Sequence, residues 1–250
     1  MQKKRPAGPP GEEAEQRLAQ YRAKRDFKSS PEPAHARRKK PAPAAHPIYC
    51  VQKHLASHLH YDLRLEHAGV LLSWAVPKGP SLRTQDKRLA MRVEDHPLDY
   101  ADFEGVIPEG YGAGIVMLWD SGHWDPENGD VDAALKKGEL KFSLHGTKLK
   151  GSWVLVRTRD ERTWLLIKHD DEWSGEIDVT AAAPDSVKSF GDFAAILSQE
   201  KPDVWQSHLP AKGGAAGALL RQIIDQAAQR IGQREHEQHD PASKKTRQKA

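Results

Sequence analysis

The sequence predicts a mainly β protein, a compact antiparallel β-barrel of about eight strands with a few flanking helices. Three observations carry that expectation. From Pro47 to about Trp173 apolar residues recur with period two in short runs, and turn residues separate those runs at even spacing. Open sheet edges invite pairing with other chains, so strands in such a series are best closed into a small barrel or a tightly curled sandwich. The length of 250 residues, 38% hydrophobic and 29% charged, suffices for one substantial core with polar tails. The single cysteine, Cys50, excludes an intrachain disulfide, and no apolar run has the length of a membrane span or a signal-peptide core. Both features suit a reducing cytosol and no membrane role.

In chain order, residues 1–46 are a basic, Pro- and Ala-rich arm with one helix expected over Glu12 to Lys24. Composition alone marks the rest of the arm as disordered. Residues 47–180 form the barrel domain, with strands expected in CVQKH, HLHYDLRLE, VLLSWAV, RLAMRVE, GIVMLWDSGHW, LKFSLH, SWVLVRT and TWLLIKH. A short helix over Val131 to Lys137, stopped by Gly138, interrupts the series. Residues 181–235 are a helical extension in which ALLRQIIDQAAQRI, 218–231, repeats apolar residues at helical spacing, and 236–250 are a disordered basic tail. The net charge of +3 is unevenly placed, with RRKK at 37–40 and KKTRQK at 244–249. Runs of this kind are solvated tails or contacts to a nucleic-acid backbone.

The segment QKHLASHLHYDLRLE, residues 52–66, concentrates the chemistry. Alternation sends Leu59, Tyr61, Leu63 and Leu65 to one face and His60, Asp62, Arg64 and Glu66 to the other. Same-face neighbours lie roughly 6–7 Å apart, so His60 and Asp62 can meet one small ion while Arg64 meets that ion's anionic ligand. His54 precedes a tight bend that brings a second imidazole to the same place. Two imidazoles and a carboxylate suit Mn, Fe, Co or Zn and are poor for Mg or Ca alone. A wet strand face carries such charges with no ion at all, so the pattern admits both readings. His58, at the bend, reads as a surface residue.

A second cluster, KRLAMRVEDHPLDY at 87–100, reads as a strand ending at Pro97, with Leu89, Met91 and Val93 alternating against Arg88, Ala90, Arg92 and Glu94. Arg88 and His96, with Tyr100 close behind, suit a phosphate. Arg92 and Glu94 read better as an ion-pair ladder. Lys78, in a Pro-Gly-Pro turn, is either an anion contact or an ordinary turn lysine. The glycine-rich IPEGYGAG, 107–114, lacks the strand-to-helix setting of a P-loop.

The runs QKHxxSxLHYDLRLE, SWAVPKGPS, KRLAxxVEDHPLDY, FEGxIPEGYGAG, WDxGxW and WLLIKHxDEW, in this order from about Lys24 to Trp173, closely resemble the phosphoesterase domain of bacterial DNA ligase D. The resemblance implies a manganese-dependent enzyme, with Zn2+ or Co2+ as other ions for the site, that removes a 3′-terminal ribonucleoside and then the 3′-phosphate in non-homologous end joining. Carried over by position, the metal ligands fall on His54, His60 and Asp62. Phosphate contacts fall on Arg64, Arg88, His96, Lys78 and Tyr100, and an Arg-Asp pair and a glutamate of the arm on Arg25, Asp26 and Glu32. That carry-over replaces the disordered arm by one partly folded over the site. The implied partners are DNA primer-template or duplex 3′ ends, with an end-joining ligase and Ku, for a cytoplasmic, nucleoid-associated monomer. No adenylating lysine motif follows Trp173, so a stand-alone end-processor is expected.

Overall fold

Ten strands carry the fold in a computed structural model that describes residues 10–24, 46–107, 113–127, 129–199, 222–231 and 233. They are β1 (Ile48–Leu55), β2 (Leu59–His67), β3 (Val70–Val76), β4 (Arg88–Arg92), β5 (His96–Pro97), β6 (Gly105–Ile107), β7 (Gly114–Pro126), β8 (Glu139–Gly146), β9 (Lys150–Arg157) and β10 (Thr163–Lys168). Each of the eight runs expected from alternation is one of the longer strands. The order β1-β2-β3-β4-β10-β9-β8-β7, with β7 returning to β1, closes them into an antiparallel barrel. The two short strands β5 and β6, which pair with β3 and β7, hold too few residues to display an alternation.

The barrel interior takes one face of each of the eight longer strands, with Val51, Leu63, Leu72, Trp74, Trp153 and Trp164 among its residues. The β1–β7 seam is pinned by a buried polar group. Tyr49 donates its hydroxyl hydrogen to Asp120 at 2.6 Å, and Asp120 also accepts from the Lys148 and Leu149 amides at 2.9 Å each. Gly146 lies under that hydroxyl, where any Cβ would collide with it.

A second layer covers the outer face of β1, β3 and β7. The 3-10 turn Leu98–Asp102 lays Leu98, Tyr100 and Ala101, with Phe103, against Cys50, Leu71 and Leu118. Helices α1 (Pro10–Arg17) and α2 (Ala19–Ala23), which start two residues before the expected Glu12 to Lys24 helix and are broken at Leu18, bury Ala14, Leu18 and Tyr21 against Val70. Helix α3 (Val131–Lys137) lies where expected: the Asp130 side chain accepts from the Ala133 amide, and Gly138 ends it at φ 87°. Beyond the barrel come α4 (Val179–Ala182), α5 (Phe193–Leu197) and α6 (222–231). Helix α6 buries Ile223 and Ala227 in the main core, and Arg230 forks onto Asp192 at 2.6 and 2.8 Å. Among the described residues no helix is long and apolar enough to cross a membrane.

The segment 87–100 departs from expectation twice. It leaves the ladder after Arg92, whose guanidinium sits 4.6 Å from the Trp74 ring and pairs with Asp95 rather than Glu94. Its phase is also reversed, since Ala90 is buried in the core and Leu89 is 43% exposed. The cause is register. Met91 stands opposite Ala75, and Ala75 opposite Asp62, so Leu89 and Met91 share the outer face with Asp62.

Candidate active site

Register assembles the site on the outer face of β1, β2 and β3. His54 faces His60 and Gln52 faces Asp62 across the hairpin, while Arg64 lies between Cys50 on β1 and Ser73 on β3. The next outward residue of β3, Leu71, faces His96 on β5. One strip of sheet therefore carries two imidazoles, a carboxylate, a guanidinium, a hydroxyl and a third imidazole.

The strip is not wet. His54, Asp62, Arg64 and His96 are 6, 7, 3 and 6% exposed, because the 3-10 turn and α2 lie over this face. Buried charge is costly unless it is paired, and here the pairing is dense. Arg64 donates from Nε to Gln52 Oε1 at 2.7 Å, from Nη1 to Ser73 Oγ at 2.9 Å and from Nη2 to Asp62 Oδ2 at 3.0 Å. Its guanidinium carbon sits 4.8 Å from the centre of the Tyr100 ring. Gln52 is itself anchored, donating to the Tyr100 and Phe103 carbonyls at 3.0 and 2.8 Å.

His54, His60 and Asp62 form a group that can hold a metal ion, with one ligand atom from each lying within 4.8 Å of the others. His54 Nδ1 is 3.8 Å from Asp62 Oδ2, and His60 Nε2 is 3.7 Å from Asp62 Oδ1. His60 Nδ1 lies 2.9 Å from the His58 carbonyl, so that nitrogen carries the hydrogen and Nε2 turns its lone pair to the group. Burial by itself would raise the Asp62 carboxyl, but Arg64, His54 and His60 outweigh it and hold the carboxyl well below the usual carboxylate range. Burial pushes the His54 imidazole below its ordinary value against the pull of Asp62. Ionised carboxylate and neutral imidazole are the states that ligation requires, so the donor set fits a transition-metal ion.

His96 stands on the other side of Arg64. Its Nδ1 lies 2.9 Å from the Glu94 carbonyl and 3.4 Å from Ser73 Oγ, which places a hydrogen on Nδ1. Tyr100 packs 5.0 Å from the His96 ring and Tyr21 of α2 meets it edge-on at 5.3 Å. Lys24, the last described residue of the arm's helices, reaches the buried Glu94 at 2.9 Å.

Of the residues singled out from sequence, His54, His60, Asp62, Arg64, His96 and Tyr100 come together. Arg88 does not join them. It shares the inward phase of Ala90, so its Cβ leaves the sheet on the face opposite Asp62, and its guanidinium pairs with Asp86 at 3.0 Å. Lys78 is exposed in the turn after β3, and His58 is exposed as expected. Arg25, Asp26 and Glu32 lie outside the described residues. Sequence reading missed Gln52, Ser73 and the Glu94–Lys24 pair. Strand parity with His54 was a signal for Gln52, whereas Ser73 and Glu94 depend on strand pairing and on the docking of the arm.

The outer barrel face thus sets a metal-competent group beside a braced arginine and a buried histidine. Residues 52–157 match the model of the DNA Ligase D 3′-phosphoesterase domain, and this segment of the chain is a domain of that family. Over 207 residues it is 52% identical to the multifunctional non-homologous end joining protein LigD of Pseudomonas aeruginosa, an alignment covering 80% of this chain and 24% of that protein. It is 46% identical over 156 residues to the multifunctional non-homologous end joining DNA repair protein LigD of Mycobacterium tuberculosis, covering 60% of this chain and 19% of the relative. The chain thus spans about a quarter or less of the length of these curated relatives.

Proposed function

We propose that the protein is a metal-dependent 3′-phosphoesterase that processes DNA 3′ ends for double-strand break repair by non-homologous end joining in the cytoplasm, removing a 3′-terminal ribonucleoside and then the 3′-phosphate. The observation that carries this reading is Arg64, buried between the His54, His60 and Asp62 group and His96, with each guanidinium nitrogen held by a different side chain. A divalent ion held by His54, His60 and Asp62, Mn2+ in our reading with Zn2+ or Co2+ as the alternatives, supplies Lewis acidity at a phosphoryl oxygen.

The chain's own residues do the rest. A guanidinium has five N–H groups; three of those of Arg64 are engaged inside the protein, which fixes its plane and leaves others for phosphate oxygens. Bracing of this kind aligns the donor before the substrate arrives, so little reorganisation is needed as charge builds in the transition state. His96 Nε2 donates a proton to the departing oxygen or holds the phosphate as an imidazolium. Tyr100 seals the guanidinium and the imidazole from water with one ring. An end-joining ligase and Ku receive the product.

The test uses metal-stripped protein resupplied with Mn2+, Zn2+ or Co2+ on a primer-template ending in one ribonucleotide, with products resolved by length and terminal phosphate. Shortening to a 3′-phosphate and then a 3′-hydroxyl is expected. Absence of both products with all three ions overturns the reading.

A further inference from the structure

The turn at residues 186–191 holds Phe190 in a conformation that glycine adopts more readily. Its φ is 58°, in the left-handed region that side chains other than glycine's avoid, and its ring is 83% exposed. Glycine at this position would remove both the backbone strain and the exposed apolar surface.

The turn is braced by hydrogen bonds and tied to the 3-10 turn that covers the active site. Ser186 N donates to the Gly191 carbonyl at 3.0 Å, and Ser186 Oγ accepts from the Lys188 and Ser189 amides at 2.9 and 3.0 Å while donating to buried Glu104 at 2.5 Å. Val187 donates its amide to the Leu118 carbonyl at 2.9 Å and packs on the cluster that contains Tyr100 and Phe103. Lys188 Nζ donates to the carbonyl of Asp102, the last residue of the 3-10 turn that carries Tyr100, at 3.0 Å. Phe190 is therefore presented on a braced turn, with a lysine two residues away, and that turn packs on the outer layer that covers Arg64 and His96.

We propose that Phe190 is a stacking platform for the terminal base of a DNA end whose 3′-phosphate lies against Arg64. This rests on the function proposed above. An aromatic face stacks on any base, so it suits an enzyme that must accept ends of every sequence. A backbone already held in place by the turn adds no ordering cost of its own when the base docks. A duplex end is broad enough to reach past the phosphate it presents to side chains bordering the pocket.

The experiment measures binding of metal-stripped protein to a primer-template ending in a 3′-phosphate, with 2-aminopurine placed either at the terminal position or internally. Terminal fluorescence is expected to be quenched by the unaltered protein and by Phe190→Tyr, but not by Phe190→Gly. The glycine variant should bind ends about 5- to 160-fold more weakly and melt at a higher temperature. That opposition of sign between stability and binding is one a purely structural phenylalanine would not produce. Equal end affinity in Phe190→Gly, or equal loss of quenching at terminal and internal positions, overturns the proposal while leaving the phosphoesterase reading intact. Failure of the unaltered protein to process 3′ ends at all overturns both.

Discussion

Replacing Gln52 with leucine tests whether the arginine is functional because it is braced. Gln52 is fully buried and links three partners: it accepts from Arg64 Nε at 2.7 Å and donates to the Tyr100 and Phe103 carbonyls at 3.0 and 2.8 Å. Leucine is close in volume, so the main loss is of hydrogen bonds rather than of packing. The bond from the charged guanidinium contributes about 1.5–3 kcal/mol and each neutral one about 1 kcal/mol, so the variant should lose about 3–5 kcal/mol of stability by urea unfolding. The effect on function follows from position. With Nε released, the guanidinium keeps only Ser73 and Asp62 and can swing in its own plane, and a misplacement of about 1 Å costs on the order of 100-fold in turnover. The assay is 3′-phosphate release under saturating substrate, with metal content determined after dialysis. We expect kcat to fall about 100-fold while KM changes less and the bound metal stays the same. Unchanged kcat in a folded variant would refute the bracing argument, and loss of the metal together with kcat would move Gln52 from the arginine to the ion.

Three further outcomes follow from the same geometry. His60→Ala should lose both bound metal and 3′ processing without unfolding, whereas His96→Ala should keep its metal and lose turnover; the reverse pattern in metal content after dialysis would exchange the roles of the two histidines. Burial pushes the Cys50 thiol from the ordinary 9.0 up to about 12, against the pull of Arg64. Native protein at pH 8 should therefore react with a thiol reagent only as fast as it unfolds, and the stability tied to this shift, complete below pH 9, should be lost as pH rises toward 12. Alkaline unfolding of Cys50→Ala should be correspondingly less steep. Removing residues 33–46, which include RRKK, should flatten the dependence of log affinity for DNA on log salt by about 0.9 for each phosphate that the arm neutralises, measured by anisotropy; an unchanged slope would deny the arm a role in backbone binding.

How far the sequence determined this protein is clearest in β2. Alternation in HLHYDLRLE places Asp62 and Arg64 on one face and Tyr61 and Leu63 on the other, because successive side chains of any strand point to opposite sides. The same local rule located eight strands, and a glycine marked the end of α3. These properties depend on neighbours in the chain, and a sequence displays them directly.

Only tertiary structure decided which face was covered and by what. The charged face of β2 reads as wet, yet Asp62 and Arg64 are buried, because the 3-10 turn 98–102 and the α2 helix, distant in sequence, pack over it. In β4 the apolar alternation pointed the wrong way. Leu89 is exposed and Arg88 faces away from Asp62, since the phase of a strand is set by its hydrogen-bonded partner, here Met91 against Ala75, and not by its own composition. Ser73 became the brace of Arg64 for the same reason, as no spacing within one strand reveals what stands opposite it on the next. Period two is a property of the single chain; inside, outside and opposite are properties of pairing, and they exist only once the barrel has closed.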